Sequence, residues 1–176
     1  MWIYIKAAGV LVVVGALGGA LFLFSGVFPM GADDHHTRPV HWALDTLRER
    51  SILAASADIE VPTLDDPGML LSGGQDYNDM CAGCHLKPGI SSSDLQQGLY
   101  PQPPNLALVS NNAPADSARA AARQFWIIKH GIKASGMPAW GYSHDDQRIW
   151  AMVAFLQRLP ALTPDQYQIL TAREQP

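Results

Sequence analysis

The sequence of 176 residues has few cysteines and few charged residues, and these shortages exclude several kinds of protein. Its two cysteines, Cys81 and Cys84, are too few for the disulfide framework of a small secreted scaffold and too few alone for a tetrahedral zinc site. Charged residues make up only 16% of the chain and hydrophobic residues 48%, which argues against disorder and against binding of nucleic acid. The sequence therefore predicts one globular domain with attachments.

The longest uncharged run lies near the amino terminus, from Ala7 to Phe28, and contains 22 residues. A helix of that length measures about 33 Å, which is enough to cross the hydrocarbon core of a membrane. Lys6 precedes the run and two aspartates follow it, which predicts a cytoplasmic amino terminus. A cleaved signal peptide is the alternative, but its apolar core is usually only about 7–15 residues long. We expect an uncleaved anchor over residues 1–28 in a bacterial inner membrane, with the rest of the chain in the periplasm.

The segment that follows, residues 29–71, is predicted to be a periplasmic linker that carries a short amphipathic helix from His41 to Ala55. Apolar or small residues recur there at helical spacing, and charged residues fall on the other side. The recurring residues are Leu44, Leu47, Ser51 and Ala54. Three resting places are open for this apolar face: the membrane surface, the globular domain and a partner subunit.

Residues 72–160 are predicted to form the globular domain, and residues 161–176 a tail. The tail predicts a short helix because Thr163 and Gln166 fit a capping box, with proline at the first helical position. No segment of the chain alternates between apolar and polar residues as a half-buried strand would, so an all-α fold is expected.

Three helices and one long loop are predicted within the domain. The first helix starts at a capping box of Ser72 and Gln75 and runs to the cysteines. The other two cover Ser117–Gly131 and Asp145–Leu159, where apolar residues recur at helical spacing. The stretch Gly98–Asn112 is rich in proline and lacks periodicity, which is typical of a loop that surrounds a ligand.

The residues Cys81-Ala82-Gly83-Cys84-His85 have the spacing C-x-x-C-H, which is the attachment signal of a c-type haem. Two thiols on one helical turn can add to the vinyl groups of one porphyrin, and the histidine beside them can ligate its iron. A thioredoxin-type disulfide would need a preceding strand, and a zinc site would need more ligands at suitable spacing. We therefore predict one covalently attached haem c, an iron cofactor held by Cys81, Cys84 and His85.

Met137 is the candidate for the sixth ligand of that iron. It stands between Gly136 and Pro138 in a loop between two predicted helices, where its side chain is free to turn toward a flat ligand. A thioether favours ferrous iron and raises the reduction potential relative to a second histidine. The predicted iron ligands are therefore His85 and Met137.

Taken together, these features resemble a class I monohaem c-type cytochrome attached to the membrane by an amino-terminal anchor. The resemblance covers Leu71 to Leu159. A glycine, an aromatic residue three positions later and the haem motif four positions after that are characteristic of the family. They are met by Gly74, Tyr77 and Cys81. The family also has a helix that is followed by a loop containing methionine. This signature resembles the segments Lys129–Ile132 and Gly136–Ala139.

The resemblance implies the class I cytochrome c fold, in which the helix of Gly74 crosses the last long helix near Trp150 and Phe155. It also implies that a proline carbonyl accepts a hydrogen bond from the axial histidine. The segment Pro104-Asn105-Leu106 matches that proline, so Pro104 would hold His85 in place. Candidates for the haem pocket, or for donors to the haem propionates, are Tyr100, Trp126 and Trp140.

A haem with both axial positions filled by the protein has no open site for a substrate, so we expect one-electron transfer and no catalytic residues. An anchor confines the domain to the membrane plane, where the expected partners are a membrane oxidase, a dehydrogenase or a quinol-oxidising complex. A basic side of the domain is hypothesised to surround the haem edge and steer it to an acidic redox partner. It contains Lys87, Lys129 and Lys133.

Two other functions stay open. The first is a haem sensor or a peroxidase-like enzyme, in which Met137 is absent from the iron or labile. His130 and His144 are then the nearest candidates for groups on the open side. The second is a structural subunit whose haem bridges two other redox centres.

Overall fold

A computed structural model of the chain describes residues 1–108 and 117–173, and within these ranges the secondary structure is entirely helical. The chain divides into two compact units, Met1–His35 and His36–Pro176. The predicted loop Gly98–Asn112 is described only as far as Leu108, and its last four residues, like the last three of the predicted tail, lie outside the described ranges.

The first unit contains helix α1, Trp2–Phe24, in which no residue is buried. It is the helix of the described ranges that is long and apolar enough to cross a membrane. The uncharged run of the sequence starts at Ala7, but the helix begins five residues earlier and includes Lys6. The ammonium group of Lys6 lies 4.0 Å from the centre of the Trp2 ring. It ends before Gly26, whose φ of +66° lies in the left-handed region.

The helices of the second unit are α2 to α8, and several follow the sequence pattern closely. They are α2 Arg38–Ala55, α3 Pro67–Met80, α4 Ala82–His85, α5 Asp94–Gln97, α6 Ser117–His130, α7 Asp146–Arg158 and α8 Pro164–Thr171. Short 3₁₀ helices cover Trp140–Tyr142 and Leu159–Ala161. The predicted helices at α6 and α7 are confirmed, as is the capping box of Thr163 and Gln166 that begins α8.

The predicted start of α3 at Ser72 is wrong. The helix begins one and a half turns earlier, at Pro67, because Asp66 caps it by accepting a hydrogen bond from the amide of Gly68. Ser72 instead lies inside the helix, where its hydroxyl donates to the carbonyl oxygens of Gly68 and Met69. Residues 67–71, which were predicted to be part of the linker, therefore belong to the same helix that leads to the cysteines.

Helix α3 crosses α7 at a pair of adjacent glycines. A Cβ at Gly73 would overlap the carbonyl oxygen of Ala151 and lie 2.8 Å from the amide nitrogen of Met152. A Cβ at Gly74 would lie 2.9 Å from the Phe155 ring. The implied crossing near Phe155 is therefore present, and the closest approach of the two backbones is at Gly73, one residue before the glycine of the family pattern.

The core surrounds this crossing. Its buried side chains come from α3, α6, α7 and α8, with Trp150 stacked on Phe125 at 4.1 Å between ring centres. Its largest fully buried members are Tyr77, Ile149, Met152, Val153, Phe155 and Leu159. Because residues 149–156 of α7 are all buried, this helix is the centre against which α3 and α6 pack.

Helix α2 faces the domain with its charged side. Ile52 is buried, and Arg123 of α6 donates hydrogen bonds of 2.9 and 2.7 Å to the two carboxylate oxygens of Glu49. The apolar face of Leu44 and Leu47 is exposed. The apolar face of α2 therefore does not pack against the described part of the domain, which was one of the three contact surfaces considered for it.

Candidate functional site

The C-x-x-C-H motif occupies a single tight turn where two helices meet. Cys81 ends α3, and the carbonyl oxygen of Cys81 accepts hydrogen bonds from the amides of Cys84 and His85, at 3.1 and 2.8 Å. Both cysteines are free thiols and are partly buried. Burial, followed by the negative charge of Asp76, raises the pKa of the Cys81 thiol to about 12, so this thiol is uncharged at neutral pH.

The imidazole of His85 is oriented by the backbone of the loop that follows. Its Nδ1 lies 3.0 Å from the carbonyl oxygen of Pro104, the contact that the resemblance implies. A carbonyl oxygen only accepts, so this contact requires the proton on Nδ1 and leaves the lone pair on Nε2. Burial lowers the pKa of His85 in spite of this hydrogen bond, which favours the neutral ring that a metal ion requires.

The backbone after His85 is fixed by three further contacts. The amide of Leu106 donates to the carbonyl oxygen of His85 at 3.1 Å, so the loop of Pro104 is tied to the motif at two points. The hydroxyl of Tyr77 donates to the carbonyl oxygen of Leu86 at 2.7 Å and lies 3.3 Å from that of His85. Leu86 has a φ of +64°, which allows the chain to turn away at once after the histidine.

The middle of the motif is held by the short helix α5, which the sequence pattern did not predict. Ser93 caps this helix and also donates a hydrogen bond of 2.6 Å to the carbonyl oxygen of Gly83. Gln96 is buried and donates to the carbonyl oxygen of Pro103 at 3.1 Å, next to the partner of His85. A four-residue helix has no room for a hydrophobic repeat, so only the Ser93 cap could have signalled it.

Met137 lies in a tight loop after α6 and packs, half-buried, against the core. Its carbonyl oxygen accepts from the amide of Ile132 at 3.2 Å, and its own amide donates to the hydroxyl of Ser135 at 3.1 Å. Gly131 begins the loop with a φ of +66°, and a Cβ there would lie 2.7 Å from the Met137 carbonyl oxygen. The loop therefore fixes the backbone of Met137, while its role as an iron ligand stays a prediction.

The aromatic candidates differ in their surroundings. The Tyr100 hydroxyl accepts a hydrogen bond of 3.2 Å from the amide of His36, and the two rings stand edge to face at 5.3 Å. Trp126 lies 5.0 Å from the ring of His130, on the same helix. Trp140 packs against the core and contacts the ring of His144 at 5.4 Å. Contact with a haem stays a prediction for all three candidates.

One buried polar atom near the methionine loop finds no partner in the part of the chain that the structure describes. It is Nε2 of His144, whose Nδ1 lies 2.8 Å from the hydroxyl of Ser143. A buried ring nitrogen without a hydrogen bond is costly unless a group outside the polypeptide serves it. Apart from this atom, the two thiols and the Nε2 lone pair of His85 form a donor set that fits a haem.

The hypothesised basic side is partly neutralised. Lys129 forms an ion pair of 2.6 Å with Asp146, and Lys87 lies 5.9 Å from the centre of the Tyr167 ring. Lys133 is exposed. Steering of a partner by these lysines stays a prediction, with the charge of Lys129 already balanced within the domain.

Comparison with known proteins gives one match. A family model described as "Cytochrome C oxidase, cbb3-type, subunit III" matches residues 68–156, which is just over half of the chain. The matched range begins at the second residue of α3 and ends within α7, so it contains the motif, the Pro104 loop and the Met137 loop. No curated protein and no solved structure matches the chain.

Proposed function

Because the chain belongs to the family described as "Cytochrome C oxidase, cbb3-type, subunit III", we propose that it is a membrane-anchored monohaem cytochrome that transfers single electrons. The family assignment confirms the predicted all-α class I c-type cytochrome fold and implies binding of haem c. We further propose that the chain holds one haem, that this haem is attached covalently, and that His85 and Met137 ligate its iron. We also propose domain limits at residues 28, 71 and 160.

We propose that four residues hold the haem. Cys81 and Cys84 would bind it through thioethers, and His85 and Met137 would ligate its iron. When bound, haem c supplies a couple of ferric and ferrous iron that takes up one electron at a time. The contact that carries this assignment is the 3.0 Å between Nδ1 of His85 and the carbonyl oxygen of Pro104, because it holds the proton on Nδ1 and would leave the lone pair of Nε2 available to iron.

The protein's own task is to keep the ligands in one arrangement in both oxidation states. The motif turn is tied to the loop of Pro104, the hydroxyl of Tyr77 holds the chain after His85, and the backbone of Met137 is fixed in its loop. Iron ligands that keep the same positions in both oxidation states lower the reorganisation energy of electron transfer. We assign no catalytic residue to the chain.

The proposed location is the periplasmic face of a bacterial inner membrane. Helix α1 has the length and composition of a single span, and Lys6 on its amino-terminal side favours a cytoplasmic amino terminus. The proposed partners are redox proteins of the same membrane: an oxidase, a dehydrogenase or a quinol-oxidising complex. The family assignment favours a respiratory complex among these.

Absorption spectra of the purified protein, oxidised and reduced, test the proposal. We expect the weak red band of methionine–ferric iron ligation and no change on adding carbon monoxide to the reduced protein. The band should be lost in Met137→Leu and kept in the control Met69→Leu, since both changes conserve side-chain volume. Mass spectrometry should show one haem bound covalently in each. A parent protein without the band that binds carbon monoxide readily has an open iron, which would favour the sensor or peroxidase-like function.

A further inference from the structure

The exposed side of helix α2 is apolar over most of its length. Val40, Leu44 and Leu47 follow one another along one line of the helix, and Leu47 is 68% exposed. A second line carries Trp42 and Leu53, and Trp42 is 69% exposed. Because a helix turns about 100° per residue, the second line lies on nearly the opposite side of α2 from the first, and we refer to Val40, Leu44 and Leu47 alone as the α2 apolar surface.

The charges of α2 are divided between its two sides by sign. The two acidic residues, Asp45 and Glu49, are half-buried and ion-paired, Asp45 with Arg48 and Glu49 with Arg48 and Arg123. The charged residues that stay exposed on this helix, Arg38 and Arg50, are both basic. Because both acids are neutralised by ion pairs, the exposed charge of α2 is positive and stands beside its apolar groups.

This combination fits one kind of partner. We propose that the α2 apolar surface lies in the headgroup region of a bilayer containing anionic phospholipid. The leucine and valine side chains would enter the boundary of the acyl chains. Arg50 stands about a quarter turn from this line, from which its long side chain extends to lipid phosphates. A hydrophobic partner helix would leave this guanidinium without a counter-charge.

The sequence also brings α2 close to a bilayer. Thirteen residues separate the end of α1 at Phe24 from the start of α2 at Arg38. Fully extended, they reach no further than about 45 Å, so α2 is kept near any membrane that α1 crosses. Tethering raises the effective concentration of the surface, and even weak affinity for lipid is then sufficient. This step rests on the proposed retention of α1 as an anchor.

Binding through α2 would fix the direction in which the domain faces the membrane. The ion pair of Glu49 with Arg123 and the buried Ile52 join α2 to the domain, so the two turn together. At the helix start, His36 contacts Tyr100 in the loop that leads to Pro104. A domain held in this way presents one constant side to partners in the same membrane.

Spin labelling of the full-length protein, haem-loaded and reconstituted in vesicles, tests the proposal. A nitroxide is attached at Leu47→Cys, and at Ile169→Cys as a control on α8, because Ile169 is 73% exposed and matches Leu47. The vesicles contain phosphatidylcholine with phosphatidylglycerol. At Leu47 we expect collision with oxygen to rise and collision with a water-soluble nickel complex to fall several-fold relative to Ile169. Arg50→Gln should reduce the effect in these vesicles and leave it unchanged in pure phosphatidylcholine.

Three outcomes would overturn the proposal, and they are distinguishable. If the protein floats with the vesicles but the Leu47 label meets nickel as freely as the Ile169 label, α2 does not contact lipid and the anchor stands. If the Leu47 label is shielded from oxygen and nickel alike, a second copy of the chain covers the surface instead. If the unlabelled parent fails to float with the vesicles, the anchor of the proposed function is refuted, and this proposal with it.

Discussion

The hydroxyl of Tyr77 donates a 2.7 Å hydrogen bond to the carbonyl oxygen of Leu86, the residue directly after the motif histidine. Tyr77 is itself buried between Phe155 and Tyr167, and burial raises its pKa, so the phenol keeps its proton and remains a donor. One side chain of α3 thereby connects the helix crossing to the backbone that carries His85.

Replacing Tyr77 with phenylalanine should therefore destabilise the protein without removing its ligands. The change leaves the buried Leu86 carbonyl without its partner, and we expect a loss of about 1–3 kcal/mol of unfolding free energy. Denaturant unfolding of the haem-loaded protein measures it. Tyr142→Phe is the control, because Tyr142 is 96% exposed and should change stability little. Equal stability of the two variants would mean that the hydrogen bond is not formed in solution.

The crossing of α3 and α7 should not tolerate a methyl group at Gly73. Alanine there would overlap the Ala151 carbonyl oxygen, which is backbone and cannot turn aside, so the helices must separate. We expect a loss of about 3 kcal/mol or more, measured by denaturant unfolding, or a failure to accumulate haem-loaded protein.

Ser72→Ala is the matched control, since it places the same residue one position earlier on the exposed side of α3. Alanine favours helix and should leave stability unchanged or slightly higher. A Gly73→Ala protein as stable as Ser72→Ala would show that the two backbones are further apart than described.

The buried carboxylate of Asp76 joins α3 to the start of α7. It accepts hydrogen bonds of 2.6 and 2.8 Å from the Nε and Nη2 of Arg148. Asp76→Asn weakens both and leaves the guanidinium without its counter-charge, so we expect a loss of about 1.5–3 kcal/mol in denaturant unfolding. Asp79→Asn, on the same helix and paired only with the exposed Arg173 in the described ranges, should cost less than about 1 kcal/mol. Similar losses at the two positions would contradict this ranking.

The pair of Glu49 and Arg123 should couple α2 to α6 in a pH-dependent way. Burial raises the pKa of Glu49, but hydrogen bonds and charge from Arg123 and Arg48 outweigh it and lower the pKa from its usual 4.5. A lowered folded-state pKa means that the pair stabilises the protein above the unfolded-state pKa, and that this contribution is lost as the pH falls through the folded-state value.

A double-mutant cycle of Glu49→Gln and Arg123→Gln measures this coupling. Both side chains are about one-third exposed, so we expect about 0.5–1 kcal/mol at pH 7, reduced by added salt. The coupling energy should persist at about pH 5.5 and decline below the usual carboxylate pKa. A coupling that stays constant into acid would assign the contact to hydrogen bonds from the charged guanidinium to an uncharged carboxyl group.

The sequence pattern predicts best those features that depend on neighbouring residues. The capping box at Thr163 and the apolar periodicity of α6 and α7 both act within a few residues, and each corresponds to the structure. The Pro104 contact was available only through the family resemblance, because nothing local tells the proline of a loop which histidine it will meet.

The correction at the start of α3 has a local physical cause. A second capping residue, Asp66, with a proline directly after it, is stronger than the box at Ser72. At α2 the sequence left three contact surfaces open for the apolar side, and the side that faces the domain carries the ion pair of Glu49 with Arg123. A contact between residues so far apart in sequence is tertiary, and no local pattern shows it.

The glycine crossing of α3 and α7 also restricts the order in which the chain can be assembled. Gly73 and Ala151 are nearly eighty residues apart in sequence, so their contact closes a long loop and must wait until the last long helix has been delivered. Cys81 and Cys84 lie inside that loop. Until the loop closes they belong to an open chain, and under the proposed function this is the interval in which haem has unobstructed access to both thiols.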